Sequence, residues 1–451
     1  MSVLKITGLK ISRLHNYVDY DIKFNSDITF LYGENGCGKT TVLNIITYII
    51  TGKIYELFKF QFEVIKLTYC YDMDSKEENI KIFYDEDKLI IKCFGGENCI
   101  ESSKIDFIDR IADDVDEIER YYFNEYEVLG EIRRTFNYLY LPLSRSGNYI
   151  NDSRYFALHR RRKIDRYSRK EFFEDYDQKL FDVQNLVRDA NNKMNFKLRD
   201  INERFTDEIL KSYLDIDNIP DTSIIINYMK KLLDRNEIQK IKVDYSNVLK
   251  AIKKWDNNTE EKINHFFASL MTDIEDAKDK IPSISIDLLI KLSETIKITT
   301  IIEKAENTEH KKSKVTQPLN DFKNTVNKFL CSNNSKKEIT INPEGCISLK
   351  TGYSKNVNIQ NLSSGEKQIV TFFAYLIFGL EDTNQGIFIV DEPELSLHLS
   401  WQRKFIDSII DLNKNIQLIF ATHSPEMIGK YREKAVKLHP NIVEKSGEEN
   451  E

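Results

Sequence analysis

The feature that most constrains this chain is a short glycine-rich loop between two apolar segments. Residues 33–40 read GENGCGKT, which fits the pattern G-x-x-x-x-G-K-[ST]. The apolar run ITFLY precedes the loop, as a buried strand would, and KTTVLNIITYII follows it with helical spacing. A strand, a glycine-rich loop and a helix in this order predict an α/β unit whose loop binds phosphate.

The loop suits a phosphorylated ligand. Its glycines let the backbone curl so that N–H groups point inward, and the helix N-terminus adds a partial positive charge. We expect Lys39 to reach the β- and γ-phosphates of ATP and the Thr40 hydroxyl to ligate Mg²⁺. The candidate nucleotide-contacting residues of this segment are Gly33, Asn35, Gly36, Cys37, Gly38, Lys39, Thr40 and Thr41.

Two adjacent acids end a second apolar strand, IFIVDEPE, at residues 387–394. We expect Asp391 to hold Mg²⁺ and Glu392 to orient and deprotonate the water that attacks the γ-phosphate. The alternative is an acidic turn without a chemical role. The phosphate loop elsewhere in the chain favours the catalytic interpretation.

A histidine ends a third apolar strand, IFATHSP, at residues 419–425. A single histidine at such a position is often structural. Ligands of open α/β sheets bind at the carboxyl ends of the strands, however, so we expect His423 to hydrogen-bond the γ-phosphate.

The segment LSSGE, residues 362–366, directly precedes an apolar helix and offers a second group of N–H donors and hydroxyls for an anion. A second phosphate cradle facing the same nucleotide from the same side would be redundant with residues 33–40.

The order of these segments indicates one α/β unit divided by a long helical insertion. We predict an N-terminal lobe at 1–150, an insertion at 151–334, a C-terminal lobe at 335–440 and a disordered tail at 441–451. Three β-like runs between residues 63 and 94 predict an antiparallel meander.

The insertion is predicted to be mostly helical. Apolar residues three or four apart predict one helix over 178–212, about 50 Å long, and amphipathic runs at 245–280 and 285–305 could cover its stripe. HKKSKVTQP (310–318) is interpreted as a loop. The insertion is either a bundle without chemistry of its own or an arm that contacts DNA or a partner.

Composition limits the environment. The six cysteines are scattered without a disulfide pattern, and no apolar run approaches the roughly 20 residues of a membrane span. We therefore expect a cytoplasmic protein that does not enter the membrane. The net charge of −7 gives no overall signature of nucleic-acid binding. The basic run 158–170 is either a solvated face or a contact for nucleic-acid phosphate or an acidic partner.

Taken in order, GENGCGKT, LSSGEKQ, VDEPELSLH and ATHSP resemble the motifs of the ABC-type ATPase superfamily, and within it the SMC/RecF/OLD-like branch. The resemblance implies an α/β, ABC-type P-loop ATPase head, with a mixed sheet and an antiparallel meander, split by a long helical, coiled-coil-like insertion. It also implies ATP and Mg²⁺ as cofactors.

In that superfamily two heads dimerise head to tail, and each signature loop completes the nucleotide site of the other head. By position, Ser363 would contact the γ-phosphate held by the partner, and Gly365 would supply an N–H group. Ser364 and Glu366 replace the usual glycine and glutamine of this loop. The resemblance therefore implies a homodimer or a larger homo-oligomer.

Three further assignments follow from the resemblance alone. Residues 394–398 correspond to the loop that crosses the dimer interface. Arg13 and Asn16 lie where this branch often contacts the nucleotide base or phosphate. Residues 140–145, YLPLSR, lie at the junction of the family's glutamine loop but contain no glutamine.

The chain resembles the stand-alone ATPase subunits of bacterial anti-phage systems such as Septu and PARIS. We therefore expect an ATPase that controls a separate effector, a nuclease or toxin, in antiviral defence. The alternative is a RecF- or SMC-like DNA repair or maintenance ATPase that binds DNA directly.

Overall fold

The structure is a computed structural model of the 451-residue chain. It describes residues 4–71, 76–102, 115–142, 175–214, 222–252, 254–277, 285–331, 337–354, 357–380, 385–412 and 415–442. All structural statements below concern these residues.

Fourteen strands are present in the described ranges. They are β1 (Lys5–Leu14), β2 (Val18–Lys23), β3 (Ile28–Tyr32), β4 (Val64–Cys70), β5 (Glu78–Asp85), β6 (Lys88–Cys93), β7 (Gly96–Glu101), β8 (Tyr138–Pro142), β9 (Glu338–Ile341), β10 (Ile347–Lys350), β11 (Gln385–Asp391), β12 (Asn415–Thr422), β13 (Ala435–Lys437) and β14 (Asn441–Ile442).

Eleven α-helices accompany them in the same ranges. They are α1 (Lys39–Ile50), α2 (Val115–Glu125), α3 (Glu127–Thr135), α4 (Asp175–Leu214), α5 (Thr222–Leu232), α6 (Arg235–Ala251), α7 (Asn257–Ala277), α8 (Ile286–Leu330), α9 (Ser364–Phe378), α10 (Leu399–Ile410) and α11 (Pro425–Ile428). The predicted α/β class is confirmed.

A five-stranded sheet with the order β13-β3-β12-β11-β8 carries the predicted motifs. Its neighbouring strands are all parallel. The central strands are nearly continuous apolar runs because both of their faces are buried, and Phe30, Ile389 and Phe420 have no exposed surface. Parallel strands align their carboxyl ends, so β3, β11 and β12 deliver their following loops to one edge of the sheet.

The second large sheet is antiparallel, with the order β14-β2-β1-β4-β5-β6-β7. The predicted meander is present as β4, β5 and β6. The sequence interpretation did not include β7, whose first residue follows β6 through a two-residue turn. One face of the sheet is apolar and packs into the core of the larger unit, whereas the other is polar. The alternation of side chains along each strand produces this division.

The chain divides into two compact units, which are described separately. The first comprises Met1–Ala190 and Asp321–Glu451, and the second comprises Asn191–Asn320. Both predicted lobes fall within the first unit. The domain limits drawn from the sequence at 150 and 334 stay a prediction.

The second unit is helical, and apolar side chains of α5, α6, α7 and α8 form its core. The amphipathic run 245–280 is divided between α6 and α7. The long helix predicted over 178–212 is present as α4.

The prediction of a loop at 310–318 is wrong, because α8 continues through Pro318 to Leu330. A proline inside a helix costs roughly 3 kcal/mol. Beyond it, Phe322, Val326 and Phe329 recur at helical spacing and are almost completely buried. Burial of these three side chains offsets the proline penalty, each contributing roughly 1.5–3 kcal/mol.

The C-terminal segment also differs from expectation. Asn441 and Ile442 form β14 and pair with β2, although the tail was predicted to be disordered from residue 441 onward. Residues 443–451 lie outside the described ranges. Among the described helices, none combines the length and apolar character that a membrane span requires.

Candidate nucleotide-binding site

The glycine-rich loop connects the end of β3 to the start of α1. Gly36 and Gly38 have φ angles of 81° and 86°, a region that glycine adopts without steric cost. Gly38 also lies against Tyr20, and a Cβ atom at this glycine would come within 2.4 Å of the tyrosine hydroxyl. The Tyr20 hydroxyl donates a hydrogen bond to the Cys37 carbonyl at 2.9 Å. The sequence interpretation missed this support of the loop by β2.

The Lys39 side chain is buried and folds back over its own loop. Its ammonium donates hydrogen bonds of 3.0 Å to the carbonyl oxygens of Gly33 and Glu34. It also lies 3.3 Å from Nδ1 of His423, which follows β12. The structure thus brings Lys39 and His423 together although 384 residues separate them in sequence.

Thr40 and Asp391 meet at the same sheet edge. The Thr40 hydroxyl donates a 3.0 Å hydrogen bond to Oδ2 of Asp391. The other carboxylate oxygen, Oδ1, is buried and has no hydrogen-bond partner among the described residues. An alcohol and a carboxylate with a free buried oxygen are suitable ligands for a hard cation, so these residues fit the Mg²⁺ that the motif implies.

The environment of Asp391 disfavours its charged form. Burial is the largest cause and raises the pKa of this carboxyl from 3.8 to about 6. The hydrogen bond from Thr40 opposes this increase in pKa. The carboxylates of Glu392 and Glu394 add to it by repulsion, and the Lys39 ammonium opposes it. A bound cation would reverse the balance and favour the carboxylate.

Glu392 follows β11 in a left-handed conformation, with a φ of 51°. Its N–H donates a hydrogen bond to the Ala421 carbonyl on β12 at 2.9 Å. Its carboxylate Oε1 lies 3.9 Å from Nε2 of His423, and both side chains are about one-third exposed. A strained turn therefore holds an accessible carboxylate next to the histidine, where a water molecule could reach both.

The signature segment forms the N-terminus of α9. Ser363 is the N-cap residue, and its hydroxyl accepts a hydrogen bond from the Glu366 N–H. The Glu366 carboxylate accepts a 2.7 Å bond from the Ser363 N–H in return. The same carboxylate pairs with Lys337 at 2.9 Å. Glu366 is thereby engaged in the helix cap, and a contact of its side chain with nucleotide stays a prediction.

Ser363 and Ser364 are exposed on the surface of the larger unit. Within the described residues, no hydrogen bond or ion pair joins the segment 363–366 to the loop 33–41. The structure therefore brings together the phosphate loop, the acidic pair and the histidine, but does not join the signature segment to them within one chain.

The loop after Asp391 connects the signature helix to the histidine. A Cβ atom on Gly365 would lie 2.5 Å from the carbonyl oxygen of Ser396, so only glycine fits there. Further along the same loop, Oε1 of Glu394 accepts a 2.6 Å hydrogen bond from the backbone N–H of His423. The sequence interpretation placed Glu394 in the interface loop 394–398 but did not predict its contact with His423. Its place three residues after Asp391 was the available signal.

Glutamines strengthen the same loop. Gln368 on α9 donates to the Pro393 carbonyl at 3.0 Å. Gln402 on α10 donates to the Leu397 carbonyl at 3.0 Å and accepts a 2.6 Å bond from the Ser424 hydroxyl. The loop is thus bonded to α9 through Gln368 and, by way of Gln402, is linked to the residue that follows His423.

Arg13 is the next-to-last residue of β1 and Asn16 lies in the turn that follows, and both have positive φ angles. The Arg13 guanidinium is 3.6 Å from Glu63, and the Asn16 amide donates to Gln61. No described contact joins either residue to the loop 33–41. Their role in nucleotide binding stays a prediction.

Two sequence interpretations fall partly or wholly outside the described residues. Strand β8 ends at Pro142, which pairs with Asp391, so residues 140–142 reach the same sheet edge. Residues 143–145 and the basic run 158–170 lie outside the described ranges.

The convergence of these groups at the carboxyl edge of a parallel sheet defines the class of protein. The larger unit is a P-loop ATPase head of the ABC type, with the antiparallel sheet beside the parallel one and helices inserted between its two sequence halves.

Comparison with known proteins gives the family. The chain belongs to the family described as "AAA ATPase domain", whose model matches residues 4–428. The DNA replication and repair protein RecF of Desulfitobacterium hafniense is 40% identical over 58 residues, 13% of this chain and 16% of RecF. The retron Vc95 probable ATPase of Vibrio cholerae is 22% identical over 213 residues, 43% of this chain and 36% of the relative. The matched segments thus span well under half of these relatives.

Among solved structures, the Smc head domain with an extended coiled coil from Pyrococcus furiosus, bound to the C-terminal domain of ScpA, is similar. It is 12% identical with a TM-score of 0.42, and the alignment covers 98% of this chain and 96% of that one.

Proposed function

We propose that this chain is an ATP-binding and ATP-hydrolysing subunit that self-associates head to tail. The assembly controls a separate effector, a nuclease or toxin, in bacterial anti-phage defence. The observation that carries the proposal is the division of the site: Lys39, Asp391 and His423 converge, whereas Ser363 is exposed and not bonded to them. A second copy would supply the missing half.

Each residue has a defined task in this proposal. Lys39 and the loop N–H groups bind the phosphates, while Thr40 and Asp391 hold Mg²⁺. A metal ion bound there would neutralise part of the negative charge of the phosphates. Glu392 orients the attacking water and accepts its proton, and His423 hydrogen-bonds the γ-phosphate. Ser363 of a second copy contacts the same phosphate from the opposite side.

The first experiment tests the assembly. Glu392→Gln removes the base but keeps the shape of the side chain, so ATP should bind and persist. The mass of this variant, measured in solution with and without ATP, should at least double when ATP is added. Normal hydrolysis by the variant would refute the role of Glu392, and a mass unchanged by bound ATP would refute ATP-dependent association.

The second experiment tests action between copies. Ser363→Arg and Lys39→Ala should each be inactive alone. A mixed dimer contains one site with both defects and one with neither, so mixing should recover hydrolysis. The control mixes Lys39→Ala with Asp391→Asn, which leaves a defect in every site and should recover nothing. No recovery in the first mixture at any ratio would contradict the composite site.

The effector is the part of the proposal that rests on resemblance, supported by the partial match to the retron Vc95 probable ATPase. The Glu392→Gln chain should form a stable ATP-dependent complex with the product of a neighbouring gene when the two are coexpressed. A RecF-like role in DNA maintenance is the second candidate, favoured by the 58-residue match to RecF. It predicts no such complex and a hydrolysis rate that rises when DNA is added.

A further inference from the structure

Four lysines stand in one line across the outer face of the antiparallel sheet. In the strand register, Lys10 on β1 is directly opposite Lys66 on β4, Lys66 is opposite Lys81 on β5, and Lys81 is opposite Lys92 on β6. Neighbouring strands are about 4.8 Å apart, so this lysine row extends about 14 Å across the sheet. Like charges placed directly opposite each other destabilise a sheet.

Carboxylates neutralise only the two ends of the lysine row. Lys10 pairs with Asp21 on β2 at 2.7 Å, and Lys92 pairs with Glu97 on β7 at 3.0 Å. In the part of the chain that the structure describes, neither Lys66 nor Lys81 has an ion pair or a hydrogen bond at its ammonium group. Two adjacent positive charges therefore remain uncompensated at the centre.

The opposite face of the sheet fixes the register that aligns these lysines. Leu9, Leu67, Ile82 and Ile91, each next to a lysine of the row, are completely buried in the core. A shift of one residue in any strand would turn such side chains toward water. The lysine row is thus held in line by the core and cannot separate by sliding.

The rows beside the lysines leave room for an elongated ligand. On one side, Gly8, Thr68 and Asn79 form a row of small polar residues. On the other side, Phe83 is half-buried, and its ring lies 5.5 Å from the Lys92 ammonium. On the Phe83 side of the lysine row is a shallow depression of about 290 Å³, which Lys66, Lys81 and Phe83 help to line.

We propose that the lysine row binds the phosphodiester backbone of a nucleic acid. A line of ammonium groups with an uncompensated centre matches a line of phosphates, and binding would release counterions from the nucleic acid. A partially exposed aromatic ring beside the row offers a stacking surface for a base. Protein interfaces, in contrast, have a core depleted of charge, whereas charge occupies the centre of this face.

This surface is separate from the residues that bind and hydrolyse ATP, so the proposal goes beyond the proposed function. The test measures binding of a fluorescent single strand and of the matching duplex to the full chain without ATP, between 50 and 200 mM salt. The variant is Lys66→Ala with Lys81→Ala. The matched control is Lys59→Ala with Lys328→Ala, which removes the same charge from exposed lysines that are already paired with carboxylates.

We expect the intact chain to bind at least one of the two probes. Loss of two phosphate contacts should reduce the slope of log K against log salt by about 1.8 for a duplex or 1.4 for a single strand. If the variant and the intact chain bind the duplex equally at 1 M salt, this difference in slope makes the variant's affinity about 60-fold lower at 0.1 M salt. The control should bind as the intact chain does. The melting temperature of the lysine-row variant should be no lower than that of the intact chain, since the change removes a repulsion between opposite lysines, and its ATP hydrolysis should be unchanged.

Three outcomes would overturn the proposal: no binding of either probe at 50 mM salt, equal weakening by the variant and its control, or tighter binding of polyglutamate than of an oligonucleotide of equal charge. The third would assign the face to an acidic protein. Stronger binding of the single strand, reduced by Phe83→Leu, would assign the backbone to single-stranded nucleic acid. Stronger binding of the duplex, unaffected by Phe83→Leu, would show that the bound backbone belongs to a double helix.

Discussion

The buried carboxyl of Asp391 makes a prediction about stability that is independent of turnover. Its pKa is raised from 3.8 to about 6, mainly by burial, so the folded protein holds the proton more tightly than the unfolded chain does. Below pH 3.8 both states are protonated, and the group has no effect. Between pH 3.8 and about 6 the unfolded chain ionises this carboxyl while the folded protein keeps the proton, so stability falls across this range and levels off above it.

The size of the effect follows from the two pKa values. A change of one pKa unit corresponds to 1.36 kcal/mol, so the difference between 3.8 and about 6 corresponds to about 3 kcal/mol. Asp391→Asn removes the ionisation while retaining an oxygen that can accept the hydrogen bond from Thr40. We therefore expect the asparagine variant to be more stable than the parent by up to about 3 kcal/mol at pH 8, and equally stable near pH 4.

The chain offers a convenient probe. Its two tryptophans are Trp255 and Trp401. Trp401 is buried in the same unit as Asp391 and packs edge-on against Phe329. In a Trp255→Phe background, urea unfolding followed by tryptophan fluorescence reports on that unit alone. The measurement is made with a chelator at several pH values between 4 and 8, and repeated with Mg²⁺ and ATP, where the parent should become the more stable protein.

A control with the opposite sign is available on α10. Hydrogen bonds from Tyr431 and Lys430 lower the pKa of Asp407, so its charge stabilises the fold above pH 3.8 and this contribution is lost as the pH falls through the lowered pKa. Asp407→Asn should therefore destabilise the protein at pH 8. The reasoning about Asp391 fails if its asparagine variant is no more stable than the parent at pH 8, or if the gain is the same at every pH.

Two further predictions concern the loop that follows Asp391. Glu394→Ala removes the acceptor of the backbone N–H of His423 and should lower kcat about 10- to 100-fold with little change in the KM for ATP. Glu394→Gln keeps an acceptor oxygen and should restore most of the rate. Full activity of the alanine variant would contradict this positioning role. Gly365→Ala places a methyl group 2.5 Å from the Ser396 carbonyl oxygen and should lower the free energy of unfolding by roughly 1–3 kcal/mol and abolish most of the ATP hydrolysis rate. The control is Gly96→Ala, whose methyl group has room, and it should change neither measurement much.

Much of the fold could be predicted from local patterns. Continuous apolar runs correctly predicted β3, β11 and β12. Since strands of a parallel sheet end at one edge, the same pattern indicated that Lys39, Asp391 and His423 would meet. Residues 310–318 were misjudged because a proline and several polar residues dominate the local signal. The buried side chains that stabilise α8 beyond Pro318, among them Phe322 and Phe329, lie further along the chain.

The contacts that connect distant segments were beyond prediction. The hydrogen bond between Glu394 and His423 spans 29 residues, and the support of the phosphate loop by Tyr20 depends on how two sheets pack. The alignment of Lys66 with Lys81 depends on the register of β4 against β5. Nothing in the local sequence specifies such a register until the core-facing residues of both strands are packed.

The sequence by itself therefore determined which groups are available for the proposed chemistry: a glycine-rich loop, two adjacent acids and a histidine, each placed by a short motif. The tertiary structure decided which of these groups share one chain's site and which face outward. It also decided which surface charges are aligned. The reason is physical, because motif geometry depends on the backbone of a few neighbouring residues, whereas exposure and cross-strand alignment depend on packing between residues far apart in the chain.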